Sequence, residues 1–226
     1  MTHASRHSIR AILFDLDGTL VDTAPDLAGA LNRLLKELGR VPIPAEVTRP
    51  HTSSGARGLI QAGMGIGPEH PDYEQLKSRF LDLYASHICI ESQLFAGMPE
   101  LLRSLEDAGM PWGIVTNKAS RFTEPLLEAM GLHDRAACVV SGDTTPHPKP
   151  HPAPLLHACN LLGLQPVECL YVGDDLRDIQ AARAAGMPVV AAAFGYLGEG
   201  GDPHAWKADA VIAEPAELLG WAGLKK

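Results

Sequence analysis

Ile9–Thr19, IRAILFDLDGT, is the stretch on which the reading of this sequence turns. A compact apolar run, Ile9–Phe14, stops at two carboxylates and a glycine. A short apolar run bounded by turn residues is how a buried strand is written. Working outward, the same device recurs. Helix Glu100–Ala108 leads to strand Trp112–Val115, helix Thr123–Met130 to strand Ala137–Val140, and helix Ala153–Leu162 to strand Cys169–Val172. Helix Leu176–Ala185, strand Pro188–Ala192, a short strand at Ala210–Ile212 and a helix at Ala216–Trp221 complete the series. Strands that are almost continuously apolar and alternate with helices form a parallel sheet covered on both faces. The predicted class is α/β, a doubly wound parallel sheet.

Residues 21–95 interrupt the alternation. Pro25–Leu38 carries Leu27, Leu31, Leu34, Leu35 and Leu38 at helical spacing and stops at Gly39. A shorter helix is expected over Gly55–Ala62. Tyr73–Ile88 sets Leu76, Phe80, Leu83, Tyr84 and Ile88 on one stripe. The expected division is a Rossmann-like core, 1–20 and 96–226, with a helical cap, 21–95, inserted after the first strand. A chain of 226 residues has room for this, and 46% apolar content excludes wholesale disorder. No apolar run reaches the ~18 residues of a membrane span, and Met1–Arg10 is polar with no signal-peptide core. A cytoplasmic protein, a monomer or homodimer without a membrane partner, is expected. The net charge of −8 and the lack of a basic run argue against nucleic acid as a partner. Cys89, Cys138, Cys159 and Cys169 form no CxxC pair and read as buried free thiols of a reducing compartment. Trp112, Trp206 and Trp221 read as packing residues.

In an open α/β sheet, ligands bind beyond the carboxyl ends of the strands. The first strand ends in Asp15-Leu16-Asp17-Gly18-Thr19 and the second in Thr116-Asn117. The third runs into Ser141-Gly142-Asp143, with Lys149-Pro150 in its loop, and the fourth ends in Gly173-Asp174-Asp175. Singly, these are ordinary turns and helix caps. Together they gather carboxylates, small polar residues and one lysine at a single edge. Clustered carboxylates repel unless a cation lies among them. Hard oxygen donors without His or Cys point to Mg²⁺. That set suits phosphoryl transfer from a small phosphorylated metabolite. Asp15 is the candidate nucleophile, forming an aspartyl-phosphate. Asp17, protonated in the first step, serves the leaving oxygen and then the hydrolytic water. Thr116, the Asn117 backbone and Lys149 hold the phosphoryl oxygens.

FDLDGTLVDT at 14–23, VTNK at 115–118, KPHP at 149–152 and GDDLRD at 173–178 resemble, in order and over nearly the whole chain, the four motifs of the haloacid dehalogenase superfamily. The insertion between the first two motifs is similar to that superfamily's C1 cap. The resemblance implies metal ligation by the Asp15 carboxylate, the Asp17 backbone carbonyl and Asp174, with Asp175 or Asp178 assisting through water. The acid at Asp17 disfavours dehalogenation, which proceeds without one. A Schiff-base lysine, as in phosphonoacetaldehyde hydrolases, would have to be Lys36 or Lys77, both expected to face solvent. DGTLVDTAPDL, SGDTTPHPKPHPAPLL and YVGDDLRDIQAARAAGM resemble the phosphoglycolate phosphatases, the first expectation for activity. RPHTSSGARG, PWGIVTNK and HAWKADAVIAEPAEL are equally similar to the N-acetylmuramic acid 6-phosphate phosphatases, the alternative.

In the cap, Ser54 and Arg57 are the candidate substrate-binding residues, with Ser53 and Arg49 beside them, because a guanidinium fork matches a carboxylate and a hydroxyl meets a hydroxyl. A hexose-phosphate mutase stays as a remote alternative. A phospho-accepting receiver domain also gathers carboxylates, a threonine and a lysine around Mg²⁺, but it lacks Asp-x-Asp-Gly-Thr and a large helical insertion. A silent binding module on the same fold has no support, since each expected catalytic position is filled. His147, His151 and His157, spaced by prolines, read as neighbours of Lys149 rather than as a zinc site.

Overall fold

The structure is a computed structural model and describes residues 8–198 and 201–224, so the first seven residues of the polar Met1–Arg10 segment lie outside the described residues. Six parallel strands form the main sheet: β1 (Ala11–Phe14), β4 (Trp112–Val115), β5 (Val139–Val140), β6 (Cys169–Gly173), β7 (Val189–Ala192) and β8 (Ala210–Ile212), in the order β5-β4-β1-β6-β7-β8. Strand β1 is central because the chain winds first to one side and then returns to build the other. Its Phe14 lies level with Ile114 of β4 and Val172 of β6, which brings the residues after all three strands to one rim.

Helices α5 (Met98–Asp107), α6 (Ser120–Ala129), α7 (Ala153–Leu162) and α8 (Leu176–Ala185) cover the sheet. One face packs Ile12, Phe14, Trp112 and Leu170 with α5; the other packs Leu13, Tyr171, Val189 and Ile179 with α7 and α8. Strands this apolar on both sides are the reason their side chains show no alternation of polar and apolar positions.

Before β4, the chain leaves the sheet through β2 (Val21–Asp22) and returns through β3 (Gln93–Leu94), which pair antiparallel. Between them lie α1 (Ala24–Glu37), α2 (Ala45–Thr48), α3 (Gly55–Met64) and α4 (Tyr73–Ala85). These inserted helices have an apolar cluster of their own, with Leu31, Leu34, Ile60, Phe80 and Tyr84 at its centre. Phe122 of α6 joins that cluster, its ring centroid 5.5 Å from that of Tyr84.

The structure trims some of the sequence-based elements. The strand expected at 137–140 is reduced to Val139–Val140 at the sheet edge, where it has one neighbour. The helix expected at Ala216–Trp221 is a 3₁₀ turn, Pro215–Gly220, opened by a proline and capped by Glu214 and Glu217. The β2–β3 pair was not anticipated, since two residues per strand leave no period to read. All four cysteines are free; Cys89 is only partly buried, and the Cys159 and Cys169 sulfurs lie 3.8 Å apart. Trp112 is buried, while Trp206 and Trp221 pack partly exposed against the two faces of the core. No helix among the described residues is long and apolar enough to cross a membrane.

Candidate active site

The rim where β1, β4 and β6 end carries a dense polar cluster. Lys149 comes from the long loop after β5, and its side chain is only 2% exposed. Its ammonium sits among four oxygens: Asp15 Oδ1 at 2.8 Å, Asp178 Oδ1 at 2.7 Å, Tyr171 Oη at 2.7 Å and the Val115 carbonyl at 3.0 Å. Burial alone would lower the lysine's pKa, but Asp15 and Asp178 outweigh it and hold the group above the usual lysine range. The loop that delivers Lys149 is clamped by Asn117. The Asn117 side-chain amide donates to the Lys149 carbonyl and accepts from the Lys149 N–H, each at 2.9 Å. The Asn117 side chain is thus committed to clamping the lysine loop.

Asp174, 1% exposed, is fixed by the Thr19 hydroxyl on one oxygen and the Tyr196 N–H on the other, both at 2.8 Å. Gly18 is needed for this approach. It has φ +93°, and a Cβ there would fall 2.3 Å from Asp174 Oδ2. One carboxylate oxygen from each of Asp15, Asp174 and Asp178 lies within 4.8 Å of the others, the one His/Cys/Asp/Glu group among the described residues close enough to share an ion. Without a cation the cluster is poorly suited to charge. Burial, against the opposing pull of Lys149, pushes the Asp15 carboxyl up to about 7, and burial with Asp15 and Asp178 nearby pushes Asp174 well above the usual range. Three carboxylate oxygens this close together, two of them on groups whose ionisation the site disfavours, fit a divalent metal. Asp178 belongs to that group, whereas Asp175 turns away to cap α8 through the Arg177 N–H at 2.9 Å.

Asp17 faces the cavity from the same loop as Asp15. Its carboxylate receives the Lys118 ammonium at 2.9 and 3.0 Å and the Thr23 hydroxyl. Lys118 is 7% exposed and lies over the Tyr84 ring, 4.9 Å from its centroid. Burial opposes its charge, yet Asp17 and Tyr84 keep its pKa above the lysine norm. Lys118 is the principal site residue that the sequence left without a role, although it stands inside the VTNK run. Thr116 is buried at the rim, where its hydroxyl accepts from the Lys118 N–H at 3.1 Å. Arg177, also unassigned, is a further polar group of the lining.

The inserted helices close over this rim and leave a cavity of about 360 Å³. Asp15, Asp17, Thr116, Asn117, Lys149 and Asp174 line its floor, while Ser53 and Ser54 face them from the 3₁₀ turn Arg49–Ser54. Phe80, Leu81 and Phe122 form an apolar part of the wall, and Arg121 and Arg177 add positive charge to it. Arg57 is exposed on α3 and is not among the lining residues. Arg49 is not among them either; it pairs with Asp22 at 3.0 Å and lies over the Tyr196 ring. Lys36 is exposed and Lys77 pairs with Glu74, so neither offers an amine to the cavity. His147 and His151 pack ring to ring, centroids 4.6 Å apart.

Residues 12–192 match the family model for haloacid dehalogenase-like hydrolases. The chain belongs to that family. Among curated members of known name, it is 40% identical over 214 residues to the N-acetylmuramic acid 6-phosphate phosphatase of Pseudomonas aeruginosa, covering 95% of each chain. It is 43% identical over 212 residues to the phosphoglycolate phosphatase of Xanthomonas campestris pv. campestris, covering 92% of this chain and 94% of that one. The crystal structure of a predicted phosphoglycolate phosphatase from Haemophilus somnus 129PT superposes with a TM-score of 0.83 at 31% identity, over 94% of this chain and 97% of that one. The matched span runs from within β1 to the end of β7, and so takes in the three strands whose ends carry the acidic rim.

Proposed function

We propose that this protein is a Mg²⁺-dependent phosphoric monoester hydrolase that works through an aspartyl-phosphate on Asp15, with residues 21–95 acting as a C1-type cap. The observation that carries this reading is the placement of Asp15 beside both Lys149 and the Asp174–Asp178 carboxylates, with Asp17 on the same loop facing the cavity. Asp15, Asp174 and Asp178, with the Asp17 carbonyl, would hold the metal, which when bound supplies positive charge for the phosphoryl oxygens. Lys149, Thr116 and the Asn117 backbone orient the phosphoryl group so that Asp15 attacks in line with the leaving oxygen. Asp17 gives its proton to that oxygen, and then takes one from the water that hydrolyses the acyl phosphate. Closure of the cap keeps bulk water out until the leaving group has departed.

The cavity supports a substrate larger than a two-carbon acid. Its volume of about 360 Å³ falls in the range, about 300–1,000 Å³, in which drug-sized ligands are buried, and part of its wall is apolar, to meet a carbon skeleton. N-acetylmuramic acid 6-phosphate is the substrate this favours, in keeping with relatives of that name. Phosphoglycolate, the first expectation from the motifs, is the second reading, supported by relatives so named at 43% identity. The test is phosphate release from both compounds and from hexose phosphates, compared by kcat/KM with Mg²⁺ and with EDTA. A higher kcat/KM for phosphoglycolate reverses the order of the two substrates. Turnover that survives EDTA or Asp15→Asn overturns the mechanism.

A further inference from the structure

Tyr196 lies in the turn after β7, buried, outside the cavity lining and beyond the last of the strand-end motifs. Its backbone N–H donates to Asp174 Oδ2 at 2.8 Å. The turn comes this close because residue 195 is glycine. A Cβ there would fall 2.3 Å from the Asp174 Cβ and 2.3 Å from the Gly18 carbonyl oxygen.

The side chain reaches the doorway of the insertion, where its hydroxyl meets three partners. It accepts from the Thr23 N–H at 2.7 Å and from the Ala24 N–H at 2.9 Å, and it donates to Asp22 Oδ1 at 2.9 Å. One donor and two acceptor sites are all that a phenol offers, so the hydroxyl is fully used. Thr23 and Ala24 open α1, whose first N–H groups have no partner inside the helix, and the phenol supplies one from the core. Where the chain returns, the Phe95 ring lies 6.1 Å from that of Tyr196, centroid to centroid. One side chain thus touches both the exit and the re-entry.

A second observation gives this anchorage a chemical meaning. Thr23, seated through its backbone by Tyr196, donates its own hydroxyl to Asp17 Oδ1. A carboxylate that hands a proton to a leaving oxygen must be held in one direction, and the direction of the Thr23 hydroxyl follows from where its backbone is fixed. We propose that Tyr196 is a positioning residue for Asp17: its hydroxyl fixes the Thr23 backbone, and Thr23 fixes the acid–base carboxylate. The proposal rests on the phosphatase reading above, with Asp17 as the acid. It gives control of proton delivery to a residue that does not line the cavity.

Proton delivery matters most when the leaving group is poor. An alkoxide needs the proton, whereas a nitrophenolate departs with little help. Because kcat/KM covers the steps up to transfer onto Asp15, the ratio of an alkyl ester to p-nitrophenyl phosphate isolates the acid's part. The experiment measures that ratio for the full chain with Mg²⁺, taking as alkyl ester the better turned-over of N-acetylmuramic acid 6-phosphate and 2-phosphoglycolate. The variants are Tyr196→Phe, Thr23→Val, Thr23→Ser and the double variant of Tyr196→Phe with Thr23→Val. Tyr196→Phe is expected to lower the ratio by about tenfold, a part of what general acid catalysis contributes. Thr23→Val should give a similar drop, the double variant no larger one, and Thr23→Ser, which keeps the hydroxyl, a ratio near that of the parent. A purely structural loosening lowers both kcat/KM values alike. If Tyr196→Phe does not fold, Asp22→Ala takes its place: it leaves the ring but removes the acceptor of its hydroxyl, and the same selective drop is expected. An unchanged ratio in the variant used, or drops that multiply in the double variant, overturns the proposal while the phosphatase reading stands. A wild-type protein inactive on all three compounds overturns both.

Discussion

The floor and the roof of the cavity are built to different rules. On the floor nearly every polar atom is engaged: Lys149 has four oxygens around it, Asp174 is held from both sides, and Asn117 clamps the loop between them. On the side of the inserted helices, Leu27, Phe80 and Leu81 share the lining with Thr52, Ser53 and Ser54, and no ion pair is present there among the described residues. A saturated network resists rearrangement, which suits groups that must meet phosphorus at one angle. A sparser polar surface constrains a guest less tightly, so the two sides differ in how firmly they fix what they touch.

Variants on the floor should break this contrast most severely. Asp15→Asn is expected to lower kcat by about 10³–10⁴-fold or more with little change in KM, read by phosphate release from p-nitrophenyl phosphate. Lys149→Met should cost both activity and stability. It leaves the buried Asp15 and Asp178 facing each other, and loss of one partner from a buried pair is worth about 3–5 kcal/mol. Urea denaturation with Mg²⁺ absent would read that loss, and a variant as stable as the parent would contradict it.

The acidic cluster also gives a pH signature. Asp15 holds its proton up to about pH 7 in the folded chain, against an ordinary 3.8, and Asp174 is shifted in the same direction. A raised carboxyl pKa favours the folded state fully below pH 3.8, and the contribution is lost as pH rises through about 7. With EDTA present, Tm should therefore fall from pH 5 to pH 8, and Mg²⁺ should restore on the order of 5–10 °C at pH 8. Asp174→Asn should flatten both trends; a Tm that rises with pH in EDTA would contradict the assignment.

Lys118 lies between the two regimes, bonded to Asp17 below and stacked on Tyr84 above. Lys118→Met should lower kcat about 10–100-fold by releasing Asp17, with a smaller effect on KM. The smallest effect belongs to Arg57, which is exposed and outside the cavity lining. Arg57→Ala should change kcat/KM less than about twofold, and a tenfold loss would place α3 in contact with the substrate.

The floor was readable in the letters because its residues follow strands directly. Each of Asp15, Thr116 and Asp174 sits one position beyond a strand, and strand order alone brings them to one rim. Asp178 was harder to place than Asp174, because its part depends on α8 starting immediately after the loop and turning its first face inward. The roof was far less legible. Ser53 and Arg57 lie four residues apart and share the same polar composition, and only the folded insertion brings Ser53 to the cavity lining and leaves Arg57 exposed outside it. Lys118 and Arg177 have roles set by partners more than 100 residues away, Asp17 and Ser53, and no local spacing encodes such a pairing.

The short ladder at β2 and β3 has a consequence for how such a molecule can change over time. Its strands bring the chain's exit from the sheet and its re-entry side by side, and the Phe95 N–H bonds the Leu20 carbonyl at 3.2 Å. Everything between is a helical insertion joined to the sheet at a single doorway, with an apolar interior that draws Phe122 and Ala119 from the core. A change in the length of the insertion therefore need not stretch or re-register the strands of the main sheet.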